Sequence, residues 1–321
     1  MVLTRRAALG MTGLAGLAAM AGGCATPGGE AADAAGTRTV EHPLGTAEIP
    51  VRPRRVIALD AGAGLQTALE AGAPLIASET LAGDTAIPDY LPKPPEGFQP
   101  LGFNEIDLER LTALEPDLII GSRSRVEELY PQLTKIAPTV SYLNTADRVR
   151  WRDTALTVGD LLGARPELER RLTAFDTAAK EFAEQHAESL TERSVALVRF
   201  TADEVRILTG VIFPSDLLAQ LGARRPASNE PEEADATYIS LTRETVPVLA
   251  DADTILYFSG GGGFAQESGE LFAEVTDGPL WRRLPAVKAG RAHQLNALNW
   301  WDGYSTSAAQ ACLTELKTFP L

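Results

Sequence analysis

The sequence has few of the side chains that build disulfide and metal sites. Its 321 residues include two cysteines, Cys24 and Cys312, and three histidines, His42, His186 and His293. Two cysteines without a CxxC spacing exclude a disulfide framework, a zinc finger and a thioredoxin-type redox site. The histidines are far apart in the chain and fall in different predicted elements, so we do not expect a histidine cage around a metal ion.

Enzyme signatures and positive charge are also lacking. The motifs HExxH, GxSxG and GxxxxGK[ST] do not occur, and no pair of a nucleophile and a base stands out. The net charge is −14, which argues against a nucleic-acid binder because such proteins need a basic surface. We therefore predict a protein that is not an enzyme and that has no resident cofactor or metal.

The composition that remains is that of a folded protein. Apolar residues make up 45% of the chain and charged residues 22%, which is enough for a full core and too few charges for a disordered chain. A length of 321 residues favours one or two domains.

The first 23 residues have the layout of an export signal. Arg5 and Arg6 precede an apolar run at 7–21, and the small residues Gly22 and Gly23 follow it. The run is shorter than the roughly 20 residues that a bilayer-spanning helix needs. The arginine pair resembles a Tat signal, which exports folded proteins.

Cys24 follows the small residues directly, as in a bacterial lipobox, where the cysteine becomes the lipid-bearing N-terminus. Ala21 stands where such sequences usually have leucine. The alternative is a plain secreted protein with a chance cysteine. Residues 24–37 are small, polar and rich in glycine, so we predict a flexible tether behind a membrane anchor.

The body predicts two α/β lobes. The apolar run Val56–Leu59 is typical of a buried parallel strand, and a glycine turn, a helix at 65–71 and a strand at 75–77 complete a βαβ unit. We assign 38–146 to an N-terminal α/β lobe, 147–190 to a helical connector with a break near Gly163, and 191–321 to a C-terminal α/β lobe. In that second lobe, Ser215 is predicted to cap a helix.

A similar stretch occurs once in each predicted lobe. "LERLTALEPDLII" begins at Leu108, and "TRETVPVLADADTIL" begins at Thr242. Each places an exposed glutamate, Glu109 or Glu244, in the first turn of a short helix, where the helix dipole favours a carboxylate. The duplication predicts a two-point contact with basic pockets on a partner; the simpler alternative is two glutamates that only stabilise helix ends.

The body resembles the solute-binding proteins of ABC importers for ferric siderophores, haem and vitamin B12. The segments that carry the resemblance occur in order between Arg38 and Leu316, and they are "RPRRVIALD", "DLERLTALEPDLIIGS", "KIAPTV", "DLLAQLG", "ISLTRE" and "PLWRRLPAVKAGRAHQL". The resemblance implies two Rossmann-like α/β lobes joined by a single long helix, with the ligand in a cleft between them. It also implies that Glu109 and Glu244 dock on arginines of the membrane permease.

Ligands of open α/β sheets bind beyond the carboxyl ends of the strands, so the residues there are our candidates. Arginine offers planar donors to chelate oxygens, and aromatic rings cover apolar flanks. Two candidates rest on the resemblance as well: Arg123 matches an arginine of hydroxamate-binding members, and Tyr142 lies near a ligand-facing tyrosine. The predicted ligand-binding set is Arg123, Arg125, Tyr142, Arg199, Tyr238, Trp300, Trp301 and Tyr304.

Each candidate has a simpler alternative. Arg123 and Arg125 could be solvated loop charges, and Arg199 could pair with Asp203 or Glu204 in its own hairpin. Trp300 and Trp301 are adjacent, so one of them is expected in the core, and Tyr238 could equally be structural.

The resemblance implies an exported lipoprotein at the outer face of the cytoplasmic membrane, which delivers a ferric siderophore to ABC permease subunits. We expect it to act as a monomer. The alternatives are haem or a corrinoid as cargo, with Tyr142 or Tyr304 available as a haem ligand, and a cell-surface enzyme of two lobes.

Overall fold

The structure is a computed structural model that describes residues 36–81, 87–231, 233, 236–261 and 269–319. The predicted export signal, Cys24 and nearly all of the predicted tether lie outside the described residues. The described part begins with an antiparallel hairpin of β1 (Thr37–His42) and β2 (Gly45–Pro50), which packs beside the first large sheet.

The first lobe contains a parallel five-stranded sheet in the order β5-β4-β3-β6-β7. Its central strands are buried on both faces, which explains their continuous apolar runs. The strands are β3 (Val56–Leu59), β4 (Leu75–Ser78), β5 (Gln99–Pro100), β6 (Leu118–Ser122) and β7 (Thr139–Tyr142), and the helices are α1 (Ala63–Glu70), α2 (Leu108–Ala113), α3 (Arg123–Val126) and α4 (Tyr130–Leu133).

Alternate residues of this sheet face two different helix layers. Val56 and Ala58 belong to a core shared with α1, whereas Ile57 and Leu59 belong to one shared with α2, α3 and α4. The stretch 123–133 forms two short helices, α3 and α4, rather than one continuous helix. Pro131 lies in the first turn of α4, where proline is tolerated because its missing N–H is not needed.

The connector consists of α5 (Trp151–Leu161), α6 (Arg165–Gln185) and α7 (Ala187–Glu192). Its one long helix is α6, and the predicted break at Gly163 falls between α5 and α6, with Gly163 at a φ of +70°. The helix α5 packs on α1 of the first lobe, and α6 packs on α13 (Thr306–Leu316) at the end of the chain. The helix α6 therefore belongs to the core of the second lobe, whereas α5 contributes Val158 and Leu161 to the core of the first lobe and Trp151 to the core of the second.

The second lobe contains a mixed five-stranded sheet in the order β10-β9-β8-β11-β12. Strands β8, β11 and β12 are parallel, and β9 and β10 are antiparallel to their neighbours. Its remaining elements are β8 (Val195–Phe200), β9 (Val205–Leu208), α8 (Phe213–Gln220), β10 (Tyr238–Leu241), β11 (Thr254–Ser259), α9 (Gly269–Thr276), α10 (Pro279–Arg283), α11 (Pro285–Lys288), β12 (Ala292–Gln294) and α12 (Ala297–Trp300).

This sheet is also covered on both faces. Leu197 and Phe258 pack in a core with α6, α8 and α13, and Val198 and Ile255 pack in a core with α9, α10 and α11. The predicted architecture of two α/β lobes is confirmed. In the part of the chain that the structure describes, no helix combines the length and the apolarity that a bilayer crossing requires.

Two local predictions were wrong. Ser215 does not cap α8: Ile212 is the cap residue, Pro214 lies in the first turn, and Ser215 is buried inside the helix. The second repeat is not an α-helix but a 3₁₀ segment, Arg243–Asp251, because Pro247 lies inside it and proline cannot donate the hydrogen bond of a regular helix.

Candidate functional site

Charged and polar side chains follow the parallel strands of the first lobe where those strands end. Asp60 follows β3, Glu79 follows β4, Arg123 follows β6 and Asn144 lies just beyond β7. Carboxyl ends of parallel strands meet at one edge of a sheet, so these residues share the edge at which α/β proteins bind ligands.

Asp60 lies at the centre of that edge and only 9% of its surface is exposed. The Tyr142 hydroxyl donates to Asp60 Oδ2 at 2.9 Å, and the Gly62 amide donates to Oδ1 at 2.7 Å. Burial raises the pKa of Asp60, and these hydrogen bonds oppose the rise. Burial and the nearby Asp60 charge likewise raise the pKa of Tyr142, which is 1% exposed, so Tyr142 supports the site from beneath.

Both predicted arginines of the first lobe are paired with acids of the same lobe. Arg123 Nε donates to Asp147 Oδ1 at 2.9 Å, and Arg125 Nε donates to Glu79 Oε2 at 3.1 Å. A second guanidinium nitrogen of each arginine contacts the same carboxylate. Burial raises the pKa of Glu79, and the Arg125 hydrogen bond opposes that rise. Both arginines are thus ion-paired, and 44% of the Arg123 side chain and 30% of the Arg125 side chain remain exposed.

The second lobe contributes Arg199, which is 5% exposed. Its Nε donates to the Gly260 carbonyl at 2.9 Å and its Nη2 to the Gly261 carbonyl at 3.1 Å. Its guanidinium carbon lies 3.5 Å from the centre of the Trp301 ring. Burial lowers the pKa of Arg199 to about 10, and the nearby Arg206 adds to this effect.

The alternative partners of Arg199 are engaged elsewhere or absent from its contacts. Glu204 accepts from Arg206 Nε at 2.5 Å and also contacts the Ser240 hydroxyl. Arg206 lies over the ring of Tyr238, at 4.1 Å from its centre, and Tyr238 is 40% exposed. No described carboxylate forms an ion pair with Arg199; two carbonyl oxygens and an aromatic face contact its guanidinium, and the charge of Asp302 acts on it from nearby.

Tyr304 joins the two lobes. The Thr145 amide donates to its hydroxyl at 2.9 Å, and its own amide donates to Gln66 Oε1 at 2.9 Å. Gln66 Nε2 donates in turn to the Asp302 carbonyl at 2.6 Å. Because Gln66 is on α1 and residues 302–304 follow α12, this network fixes the segment after Trp301 against the first lobe.

Glu70, also on α1, strengthens the same junction. It is 2% exposed and accepts from the Thr306 hydroxyl and the Ser307 amide, each at 2.6 Å, at the N-terminus of α13. Such charge-assisted bonds are stronger than neutral ones. The two lobes therefore meet through polar contacts that begin immediately beyond the cleft residues.

The adjacent tryptophans have different surroundings, as the alternation predicted. Trp300 is fully buried in the core of the second lobe, and its indole N–H donates to Glu315 at 2.9 Å. Trp301 is partly exposed beneath Arg199. Burial therefore removes Trp300 from contact with a ligand, and Trp301 remains a candidate.

The structure adds residues that the sequence analysis missed, namely Asp60, Gln66, Glu79 and Asp147. Asp60 and Glu79 follow strands directly, so the rule that selected Arg123 could have found them. Gln66 carried no signal, because its role depends on contacts with residues more than 200 positions later.

The two predicted docking glutamates are exposed. Asp107 caps α2 by accepting from the amides of Glu109 and Arg110 at 2.9 and 3.1 Å. In the second repeat, hydrogen bonds from its own backbone amide and from Thr242 lower the pKa of Glu244. Both side chains are thus accessible to a partner.

The histidines occupy separate structural positions. His42 contacts the hydroxyls of Ser141 and Tyr130, and His293 stacks on Phe319. Within the described ranges, no group of three or more His, Cys, Asp or Glu side chains has the arrangement of a metal site.

Known proteins resemble this chain in sequence and in structure. The lipoprotein YfiY of Bacillus subtilis, named as a probable siderophore-binding lipoprotein, is 31% identical over 88% of this chain and 87% of its own. The Fe(3+)-citrate-binding protein YfmC of the same organism is 26% identical over 61% of this chain and 59% of its own. The crystal structure of Staphylococcus aureus SirA complexed with staphyloferrin B covers 88% of this chain and 98% of SirA, with 26% identity and a TM-score of 0.75.

A family model described as periplasmic binding protein matches residues 66–297, which include four of the five strands of the first sheet, the connector and the whole second sheet. With this match and the identity to YfiY, the chain belongs to the periplasmic binding protein family.

Proposed function

We propose that this protein captures a ferric siderophore in the cleft between its lobes and delivers it to an ABC transporter permease for iron uptake. The observation that carries the proposal is Arg199, a buried guanidinium without a carboxylate partner among the described residues. A buried charge without an ion partner is costly, so such a residue is retained where it serves a ligand.

The chemistry of Arg199 suits an iron chelate. Two of its nitrogens are fixed by carbonyls, so the plane of the guanidinium is set before a ligand arrives. Hydroxamate, catecholate and carboxylate oxygens around ferric iron accept hydrogen bonds from such a group. Trp301 holds the guanidinium from one side and offers apolar surface for the flank of a chelate.

The first lobe supplies the opposite wall of the proposed site. Arg123 and Arg125 would meet the ligand as members of ion pairs, and Tyr304 would meet it at the junction of the lobes. Tyr142 would act through Asp60, which it contacts. Tyr238 lies beside Arg206 at the outer part of the second lobe and would contact only a large ligand.

Delivery requires contact with the permease at both lobes. Glu109 and Glu244 are exposed at the beginning of equivalent short helical segments, which supports a role as paired docking carboxylates. The relatives that are named as lipoproteins support an exported protein held at the outer face of the cytoplasmic membrane by lipid on Cys24. We infer that the protein acts as a monomer and catalyses no reaction.

The binding proposal is tested by titrating the protein with a panel of ferric siderophores while tryptophan fluorescence is recorded. Arg199→Met keeps most of the side-chain volume and removes the donors. We expect the Kd for the bound chelate to rise at least tenfold, because a hydrogen bond to a charged group contributes about 1.5–3 kcal/mol.

The control variant is Arg170→Met, which removes an exposed arginine of the connector that pairs with Glu167. Its Kd should stay within twofold of the parent protein. A panel without any bound ferric chelate, or a Soret band on addition of haem with no siderophore binding, would contradict the proposed cargo.

A further inference from the structure

The arginines at the cleft are already neutralised, with one exception. Arg123 pairs with Asp147 and Arg125 pairs with Glu79 in the first lobe, and Arg206 pairs with Glu204 in the second. In the first two pairs the carboxylate is almost completely buried, with 6% of the Asp147 side chain and 3% of the Glu79 side chain exposed. These acids therefore remain beside their arginines rather than in solvent.

The exception is Arg199, which forms no ion pair among the described residues. On the first lobe, Asp60 accepts hydrogen bonds from a hydroxyl and an amide, and the charge of Arg125 also acts on it. Asp302 lies close enough to Arg199 to raise its pKa against the effect of burial. The described side chains around the cleft thus carry no surplus of positive charge.

The neighbouring stretches outside the described residues do not change this balance. Residues 82–86, which come soon after β4, contain Asp84, and residues 262–268, which come soon after β11, contain Glu267. Neither stretch contains a lysine or an arginine. No positive charge is therefore available from them, wherever they lie.

We propose that this cleft selects ferric chelates of net charge near zero, such as ferric trihydroxamates, over trianionic ferric tris-catecholates. This inference rests on the proposed function and names the class of its ligand. Removing a trianion from water is costly unless several positive charges receive it. Here a trianion would meet one arginine without an ion pair and several carboxylates, or it would have to break ion pairs whose carboxylates are buried.

A neutral chelate avoids both costs. Its hydroxamate oxygens are polarised by the iron and accept hydrogen bonds from Arg199, while the paired arginines keep their carboxylates. The cleft then discriminates against a trianion because contacts between its carboxylates and a negatively charged ligand are unfavourable.

The experiment compares two iron chelates of similar size and different charge. Ferrioxamine E is a neutral cyclic trihydroxamate, and ferric enterobactin is a trianionic tris-catecholate. We expect the Kd of ferrioxamine E to be at least tenfold lower in fluorescence titrations at fixed ionic strength. Equal binding, or tighter binding of ferric enterobactin, would overturn the inference and leave the proposed function standing. Binding of neither these nor any other ferric siderophore would overturn the proposed function itself.

Two variants test the cause of the preference. Glu79→Gln and Asp147→Asn keep the shape of the side chain and release Arg125 and Arg123, respectively, from an ion pair. Each should lower the Kd of ferric enterobactin relative to that of ferrioxamine E by about tenfold, since the loss of one carboxylate charge leaves one arginine charge for the trianion.

The matched control is Glu167→Gln, which releases Arg170 and Arg171 on α6. This variant also removes one negative charge, but it does so away from the strand ends. It should leave the ratio of the two Kd values unchanged. If it shifts the ratio as much as Glu79→Gln does, net charge of the whole protein decides the preference and the cleft does not. The two cleft variants are independent, so a folding defect in one leaves the other as the test.

Discussion

Trp300 and Trp301 are neighbours in the chain, yet they serve different purposes. Trp300 fills the core and gives its indole proton to Glu315, whereas Trp301 lies under the guanidinium of Arg199. The difference arises because Trp300 ends the short helix α12 and Trp301 begins the turn that leads to the lobe junction. At the residue scale, burial and hydrogen bonding separate the structural side chain from the candidate ligand contact.

Trp300→Phe should therefore reduce stability and spare binding. The substitution removes the indole N–H that donates to Glu315 and leaves a small cavity at residue 300. We expect the free energy of unfolding to fall by about 2 kcal/mol. Urea denaturation followed by circular dichroism measures this change. Trp301→Phe is the matched comparison and should weaken chelate binding more than it lowers stability. The reverse pattern would contradict the two assignments.

Asp60 makes the stability of the protein depend on pH. Burial raises its folded-state pKa, so the folded protein holds this proton more tightly than the unfolded chain. The contribution of Asp60 is therefore greatest below the unfolded pKa of about 4 and is lost as the pH rises through the folded pKa. The difference in unfolding free energy between the parent and Asp60→Asn should fall between pH 4 and 7. A difference that stays constant or grows over that range would contradict the prediction.

Elements show where local sequence rules hold and where they fail. The central parallel strands β3, β6 and β8 were predictable because each is a short apolar run, whereas the edge strand β5, the exposed Gln99–Pro100, has no such pattern. The break in the connector was predictable because glycine commonly ends a helix by adopting a left-handed conformation. Gly163 has that conformation in the structure. The stretch Arg243–Asp251 is a 3₁₀ segment rather than an α-helix, and Pro247 inside it disfavours a regular α-helix.

Gly163→Ala should destabilise the connector. Gly163 has a φ of +70°, and an added Cβ would lie 3.3 Å from the Val51 carbonyl oxygen. The left-handed conformation costs a residue with a side chain roughly 1–2 kcal/mol, so the thermal midpoint should fall by several degrees. Gly269→Ala is the control, because Gly269 begins α9 and a Cβ there meets no atom within 4 Å. A control that loses as much stability as Gly163→Ala would rule out the backbone explanation.

The whole molecule brings together residues that are distant in the chain. Gln66 and Glu70 on α1 form hydrogen bonds with residues 302–307, so residues near the two ends of the chain together hold the junction between the lobes. The proposed docking carboxylates depend on the same arrangement, because a transporter must touch both lobes of one protein at once. Glu109 and Glu244 remain predictions at this scale.

Glu109→Lys combined with Glu244→Lys should abolish siderophore-dependent iron uptake in cells and leave chelate binding by the purified protein intact. Each reversed charge would face the basic surface that the glutamates are proposed to meet, and like charges at an interface are strongly unfavourable. The control is Glu181→Lys with Glu184→Lys on the connector helix α6, which should preserve uptake. Normal uptake by the docking variant would remove these residues from the transport step.

The sequence by itself determined the class of the fold, because hydrophobic periodicity and turn residues act over a few positions and mark each strand and helix locally. It also supplied the order of segments by which the family is identified, and it placed arginine and aromatic side chains beyond the strands. Only the tertiary structure decided which of them are free to act. The ion pairs of Arg123 and Arg125, the burial of Trp300 and the carbonyl contacts of Arg199 depend on partners from 15 to more than 60 residues away. Charge compensation and burial are properties of the folded surroundings, so no local pattern encodes them.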